Sequence, residues 1–182
     1  MTVIAWSGNL VAADSQETNG CLRTSKPVQK LEVRGNAVYG VTGASSLHKP
    51  LIDWVHEHNA DPDKKPNVHE DLQDTCVIVW REGRCLSYDL KSPYPVEAFA
   101  PDAWGCGTAA HHAIGAMDSG IDAKTAVERA IIRTTCVGGP VQVIDLESLK
   151  ACEHDWAAGV HPYNTEIIVK CLKCGADKDR AA

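Results

Sequence analysis

The sequence predicts an α+β layered fold in which antiparallel β-hairpins alternate with short helices. Four strand-like segments precede the first helical pattern, a further hairpin follows it, and two adjacent helical patterns come before a last strand-like segment. A parallel sheet would require strictly alternating βαβ units, and this order does not contain them. We therefore expect sheets built from hairpins, with helices packed against them.

Three hairpin patterns define the β part of the chain. The segments TVIAW and NLVAAD flank the turn SGN, and VQKLEV and NAVYGVTG flank RGN. Farther along, TCVIVW and RCLSYDL flank REG, and YPVEAFA is a candidate additional strand. The segment GGPVQVIDL is expected to return to strand after the last helix.

Three segments carry helical periodicity. The first is ASSLHKPLIDWVHEHN, with Ser45 or Ser46 as a candidate N-cap and Pro50 in its first turn. The second is AAHHAIGAMDSG. The third is AKTAVERAIIRTT, which Asp122 is expected to cap. Its predicted buried face consists of Ala126, Val127, Ala130 and Ile131.

Length, composition and charge restrict the classes of function. A chain of 182 residues that is 44% hydrophobic suits one compact domain with a small appendage. The formal net charge of -6 gives no electrostatic drive toward nucleic acid or anionic membranes, so we expect neither partner. No secretory leader pattern opens the chain, and no apolar run approaches the roughly 20 residues of a membrane helix. These features predict a cytoplasmic protein whose cysteines are reduced thiols or metal ligands.

Thr2 directly follows the initiator methionine, at the start of the first strand-like segment. Removal of Met1 would leave Thr2 with a hydroxyl and a free α-amino group on the same residue. An α-amino group has a pKa of roughly 7.7–8.0, which suits it to accept the hydroxyl proton near neutral pH. The nitrogen of an internal threonine is an amide and cannot do this. Thr2 is therefore a candidate catalytic nucleophile.

Six features follow one another in order over about residues 2–146: Thr2 at the head of a hairpin, VAADS, VQKL, VYGVTGASS, GCGTAAHHAIGAM and GGPVQVIDL. Together they resemble the proteasome β-subunit superfamily, and within it the HslV-type peptidases of bacteria and phages. The resemblance implies the four-layer αββα sandwich of N-terminal nucleophile hydrolases over residues 2–149. It also implies threonine-type endopeptidase activity on polypeptide substrates and assembly into a homo-oligomeric ring. An ATPase unfoldase is a further candidate partner.

The resemblance also assigns candidate catalytic residues. Thr2 matches the nucleophile, Asp14 the acid, Lys30 the lysine and Gly40 the oxyanion-hole glycine. A buried Lys30 ammonium would favour the neutral form of the Thr2 amine, and Asp14 would keep Lys30 charged and oriented. Each residue alone is common in strands and turns, so the catalytic interpretation depends on the ordered set.

Two segments depart from the family pattern. Cys106, in GCG, stands where the family usually has a glycine-flanked serine beside the N-terminal amine, and we include it among the candidate site residues. Thr134 and Thr135 stand where an acid is expected before the GG turn. These departures leave open a catalytically silent ring or scaffold subunit that uses its C-terminal region for protein interaction. A small-amide hydrolase with the same type of nucleophile is a third alternative.

Residues 150–182 lie beyond the resemblance and carry a metal-ligand spacing. The pattern is C-x-H, 16 residues and C-x-x-C-G, formed by Cys152, His154, Cys171 and Cys174. Four such ligands in two pairs suit a tetrahedral structural Zn²⁺, with His161 as an alternative to His154. We expect a small zinc-ribbon-like extension whose metal is structural rather than catalytic. The apolar segment TEIIV, between the two ligand pairs, is a candidate strand of this extension. The other interpretation is a reduced tail with incidental thiols.

Overall fold

The computed structural model describes residues 1–19, 22–24, 26–81, 83–92, 94–98 and 103–149, and the backbone of residues 156–160 and 167–171. Three α-helices lie in this part of the chain: α1 (His48–Glu57), α2 (Ala110–Met117) and α3 (Ala123–Arg133). Within the same residues, no helix is both long enough and apolar enough to cross a membrane.

The described strands belong to two main antiparallel sheets and two small hairpins. In chain order they are β1 (Ile4–Ser7), β2 (Leu10–Ala13), β3 (Thr18–Asn19), β4 (Leu22–Arg23), β5 (Leu31–Arg34), β6 (Ala37–Thr42), β7 (Cys76–Arg81), β8 (Arg84–Asp89), β9 (Val96–Glu97), β10 (Ala103–Cys106), β11 (Gln142–Asp145), β12 (Trp156–Val160) and β13 (Ile167–Cys171). The first main sheet has the order β10-β1-β2-β11, and the second has the order β5-β6-β7-β8-β9. The three predicted hairpins are confirmed, because β1 pairs with β2, β5 with β6 and β7 with β8.

Alternation of side chains along the strands gives each sheet two buried faces. In β1, Ile4 packs between the sheets, whereas Ala5 packs with α2 and α3. In β7, Ile78 packs between the sheets, whereas Val77 packs with α1. Successive strand residues point to opposite faces, so one strand serves both layers. The layers are therefore α2 and α3, the first sheet, the second sheet and α1, which is the predicted αββα order.

The core between the two sheets holds the candidate site in position. Its buried members are Ile4, Val11, Ala13, Leu31, Val38, Ile78, Trp80 and Cys85. Trp80 packs edge-on against Trp104 with 6.3 Å between ring centroids, an arrangement that contributes about 0.5–1.5 kcal/mol beyond burial. This core fixes the start of β1, the end of β2 and the start of β5 relative to one another.

Helix α3 begins where the sequence predicts. The Asp122 carboxylate accepts a hydrogen bond from the backbone N–H of Thr125 at 2.9 Å, as an N-cap should. The predicted buried face is also confirmed: Ala126, Val127 and Ala130 are buried, and Ile131 packs against them.

Helix α1 begins differently from the prediction. A 3₁₀ turn over Ser45–Leu47 precedes it, so neither Ser45 nor Ser46 caps the helix. Leu47 occupies the N-cap position without a side-chain hydrogen bond. Pro50 lies in the first turn, as predicted, where a missing N–H costs little.

Several short strands lie where the sequence patterns predict none. Strands β3 and β4 form a two-stranded hairpin after β2. Strand β10 pairs with β1 and places Cys106 opposite Ile4. In the C-terminal region β12 is also an additional strand, with Trp156 opposite Cys171 of β13 in the backbone register. Strand β13 itself overlaps the strand predicted at TEIIV.

Candidate active site

Thr2 lies just before β1 and is almost completely buried, at 3% exposure, whereas Met1 before it is 47% exposed. Two hydrogen bonds between Val3 and Asp14 hold this end of the chain against the end of β2. The Val3 N–H donates to Asp14 Oδ1 at 2.9 Å, and the Asp14 N–H donates to the Val3 carbonyl at 3.1 Å. The position of Thr2 is therefore fixed by the residue that follows it.

Asp14 is fully buried and accepts four hydrogen bonds. Its Oδ1 accepts from the Val3 N–H at 2.9 Å and from Lys30 Nζ at 2.8 Å. Its Oδ2 accepts from the backbone N–H groups of Gln16 and Gly138, each at 3.1 Å. One carboxylate thus joins β1, the segment before β5 and the turn before β11. Such complete hydrogen bonding offsets the cost of burying a charge.

Lys30 places its ammonium beside the peptide group that joins Met1 to Thr2. Its Nζ lies 2.8 Å from Asp14 Oδ1 and donates to the Met1 carbonyl oxygen at 3.0 Å, and the side chain is 4% exposed. The amide nitrogen of Thr2 belongs to the same peptide group as that carbonyl, so Lys30 lies next to it. Burial lowers the pKa of Lys30, and the carboxylate of Asp14 opposes that shift.

The turn after β10 passes close to Thr2. A Cβ on Gly107 would lie 2.2 Å from the Thr2 carbonyl oxygen, and Gly107 has a φ of +93°. A residue without a side chain is needed here on both counts. The Ala109 N–H donates to the same carbonyl at 3.4 Å. The structure therefore brings the GCG turn to Thr2 through the backbone of Gly107.

Cys106 lies beside this turn, but its side chain packs against the core between the sheets. Burial raises the pKa of the Cys106 thiol well above its ordinary value, and the neighbouring thiols of Cys76 and Cys85 raise it further. Such a thiol stays protonated near neutral pH, and a protonated thiol is a poor nucleophile.

Gly40 is not among the residues that line the cavity of Thr2 and Lys30. Gly40 lies within β6, opposite Leu31 on one side and Ile78 on the other. A Cβ there would lie 3.0 Å from both Ile4 Cδ1 and Trp80 Cζ3, so this glycine makes room for the core between the sheets.

Gly43, three residues later, lines the cavity that contains Thr2. It has a φ of +104°, and a Cβ on it would lie 2.7 Å from the Thr75 Cα. The next residue, Ala44, donates its N–H to the Thr75 hydroxyl at 3.1 Å. The strand-to-helix turn at Gly43 is therefore anchored beside the cavity.

The cavity beside Thr2 has a volume of about 470 Å³, and Thr2, Gln16, Glu17, Lys30, Gly43 and His48 contribute to its lining. Glu17 accepts a hydrogen bond from the Ser45 hydroxyl. Burial lowers the pKa of His48, with Lys30 adding to the shift, although the Gln29 carbonyl and Glu17 oppose it.

Sequence reasoning did not identify Gln16, Glu17 or His48 as site residues. Gln16 and Glu17 follow a buried acid at the end of a strand, and that position is the only signal they carry. Gln16 is 7% exposed, and its buried Nε2 has no hydrogen-bond acceptor among the described residues. His48 reaches the cavity because the turn at Gly43 brings α1 back toward Thr2.

The predicted zinc ligands Cys152, His154 and Cys174, and the alternative ligand His161, lie outside the described residues. Cys171 ends β13, of which the backbone alone is described. Among the residues whose side chains the structure describes, no group of three or more His, Cys, Asp or Glu is arranged to hold a metal ion. The zinc site stays a prediction.

Comparison with known proteins identifies the fold. Neither a protein-family model nor a curated protein matches the chain. Among solved structures, HslV from Trypanosoma brucei is similar with a TM-score of 0.57 and 18% identity, over 79% of this chain and 98% of that one. The protein BPH from Thiobacillus denitrificans, in complex with epoxomicin, has a TM-score of 0.57 and 16% identity, over 80% and 98% of the two chains. A second BPH structure has a TM-score of 0.57 and 18% identity, over 80% and 97%. The chain therefore has the fold of HslV- and proteasome-type β-subunits, which confirms the predicted sandwich.

Proposed function

We propose that this chain is a threonine-type endopeptidase of the proteasome and HslV type, with Thr2 as its nucleophile after removal of Met1. The observation that carries the proposal is the buried Lys30–Asp14 pair beside the Met1–Thr2 peptide group. Burying a charge pair costs desolvation free energy, and buried pairs with perturbed pKa values are common at active sites. A pair of this kind beside Thr2 therefore supports a catalytic role.

Removal of Met1 creates the base that the mechanism requires. The free amine of Thr2 accepts the proton of the Thr2 hydroxyl as the oxygen attacks a peptide carbonyl. The adjacent Lys30 ammonium disfavours a second positive charge on that amine and so keeps it able to accept the proton. Asp14 holds Lys30 in place at 2.8 Å and fixes the backbone after Thr2 through the Val3 N–H.

The developing oxyanion needs a hydrogen-bond donor near Thr2. We assign this role to the backbone N–H of Gly43 rather than Gly40, because Gly43 lines the cavity and Gly40 lies in the core. Loss of one such donor typically raises the barrier by about 3 kcal/mol. A glycine also allows a substrate backbone to approach closely.

Polypeptide substrates and a homo-oligomeric ring belong to the same proposal, as does a cytoplasmic location. The likeness to HslV and BPH supports the ring, and so do large exposed apolar side chains such as Ile132 at 81% and Leu22 at 74%. Light scattering is expected to give an oligomer, and a strict monomer would count against the ring. An ATPase unfoldase stays a candidate partner.

Residues 150–182 are proposed as a separate zinc-ribbon-like extension that binds one structural Zn²⁺. The pairing of β12 with β13, apart from the two main sheets, supports a separate unit. A protein-interaction role for this extension is the core of the alternative function, a catalytically silent ring or scaffold subunit. Cys106 in place of the expected serine is the observation that keeps this alternative open.

Mass spectrometry distinguishes the two functions. The endopeptidase proposal requires a purified chain that begins at Thr2, and a chain that keeps Met1 would support the silent subunit. Epoxomicin, which BPH binds in its solved complex, is the matching probe. It is expected to add its mass to the peptide that begins at Thr2 in the wild type, and not in Thr2→Ala.

A further inference from the structure

The proposed mechanism does not use two ionisable side chains that line the cavity beside Thr2, Glu17 and His48. Lys30 is the third ionisable side chain that contributes to the lining. The charge of Lys30 is matched by Asp14 at 2.8 Å. Burial lowers the pKa of His48, so its ring is neutral near pH 7. The carboxylate of Glu17 therefore carries the net charge of the cavity wall.

Two hydrogen bonds from uncharged groups hold Glu17 at the cavity, and its carboxylate interacts with Lys30 and His48 only at longer range. The Ser45 hydroxyl donates to Glu17 Oε1, and the Thr24 N–H donates to the Glu17 carbonyl at 3.0 Å. Both contacts come from uncharged groups. Among the described residues, the carboxylate forms no ion pair with a cationic side chain. A half-buried carboxylate with free acceptor capacity is a site for a cation.

The remaining lining fits a long side chain that ends in N–H donors. Thr18, Thr24 and Ser46 line the same cavity, and a hydroxyl group can accept further hydrogen bonds. Val28 and Leu72 supply apolar wall for the methylene stem of a lysine or an arginine. The volume of about 470 Å³ leaves room for either side chain.

We infer that Glu17 makes this cavity select peptides with lysine or arginine at the residue whose carbonyl Thr2 attacks. That residue must lie beside Thr2, and its side chain then enters the cavity that Glu17 lines. The inference rests on the proposed function, because it concerns the substrate of the same site. It adds a specificity that neither the fold nor the nucleophile requires.

The test uses three fluorogenic peptides that differ in the residue before the fluorophore: arginine, leucine or glutamate. We expect the wild type to have a kcat/KM for the arginine peptide about tenfold or more above the other two. Glu17→Gln is expected to lower the arginine-to-leucine ratio about tenfold, and Glu17→Lys to favour the glutamate peptide. Glu57→Gln, which removes an exposed carboxylate of α1 outside the cavity, is the matched control and should keep the wild-type ratio.

A leucine or glutamate preference in the wild type, or an arginine preference that survives Glu17→Gln, would overturn the inference. Failure of the proposed function looks different: no peptide is cleaved and epoxomicin does not add to Thr2. In that case, fluorescence anisotropy of labelled arginine and leucine peptides on the full chain decides the question. Tighter binding of the arginine peptide that is lost in Glu17→Gln supports the cation site, and equal binding of both peptides refutes it.

Discussion

Lys30 Nζ lies 2.8 Å from Asp14 Oδ1, and both side chains are buried where the chain before β1, the end of β2 and the segment before β5 meet. The same ammonium contacts the Met1 carbonyl at 3.0 Å. Because Asp14 also accepts three backbone N–H groups, we propose two separable roles for the pair. Under the proposed function, Asp14 holds the local fold together, and Lys30 acts on the peptide group whose nitrogen becomes the Thr2 amine.

Asp14→Asn is expected to destabilise the protein strongly. Either orientation of the new amide would point its NH₂ group at donors, toward Val3 and Lys30 or toward Gln16 and Gly138. Breaking a buried, hydrogen-bonded pair typically costs about 3–5 kcal/mol in free energy of unfolding, measurable by urea denaturation. Asp74→Asn, at an exposed ion pair with Lys91, is the control and should change stability little. Similar losses in the two variants would contradict the role of Asp14.

Lys30 predicts a pH dependence of stability. Burial lowers its pKa in the folded chain below the ordinary 10.5. At a pH between the lowered pKa and 10.5, Lys30 is protonated in the unfolded chain but largely deprotonated in the folded chain. The unfolded chain then binds more protons, so the free energy of unfolding increases as pH rises. Lys30→Met lacks this contribution. The stability of the wild type relative to Lys30→Met is therefore expected to increase as the pH rises toward 10.5 in urea titrations. A relative stability that falls over this range would show that the Lys30 pKa is raised instead.

Alanine at the two glycines separates core packing from catalysis. Gly40→Ala is expected to cost about 1–3 kcal/mol in stability, because its Cβ would crowd Ile4 and Trp80, while the folded protein keeps its peptidase rate. Gly43→Ala adds a Cβ 2.7 Å from the Thr75 Cα at a positive φ. The resulting shift of the turn is expected to lower kcat on the order of 100-fold. Peptidase rates compared at equal fractions of folded protein test this assignment. A loss of rate in Gly40→Ala alone would assign the oxyanion role to Gly40 instead.

The C-terminal extension is expected to bind one Zn²⁺ per chain through Cys152, His154, Cys171 and Cys174. Structural zinc contributes on the order of 10 kcal/mol or more, which exceeds what so short a segment gains from apolar burial. Chelation or Cys174→Ser should therefore make the extension sensitive to protease while residues 2–149 stay resistant. Cys136→Ser, outside the proposed ligand set, is the control. Protein without zinc, or an extension equally resistant after chelation, would show that the four residues are incidental.

Local patterns in the sequence predicted local structure well. Asp122 was identifiable as a cap because its partner, Thr125, lies three residues away. Strand β10 was not predicted, since its four residues AWGC show no alternation and their pairing with β1 depends on residues about 100 positions earlier. The contact of Asp14 with the Gly138 N–H likewise depends on tertiary packing.

The candidate site was predicted in outline rather than in full. Thr2, Asp14 and Lys30 were accessible from the order of motifs, and the structure brings these three together. The segment VYGVTG contains two glycines three residues apart, and the resemblance assigned the oxyanion role to the first, Gly40. We propose Gly43 instead, because Gly40 lies opposite Leu31 and Ile78 within the sheet, whereas Gly43 follows the strand and lines the cavity beside Thr2. Glu17 and His48 could be recognised as site residues only from the cavity that the structure shows.

The rate of peptide hydrolysis by Thr2→Ala, compared with the wild type, tests the central claim most directly. Removal of Met1 leaves a free α-amine in both proteins, so the variant lacks only the hydroxyl and one methyl group at the reacting position. We expect hydrolysis of fluorogenic peptides to be abolished in Thr2→Ala, with assembly unchanged, and largely retained in Thr2→Ser. Equal rates in Thr2→Ala and the wild type would contradict a threonine nucleophile.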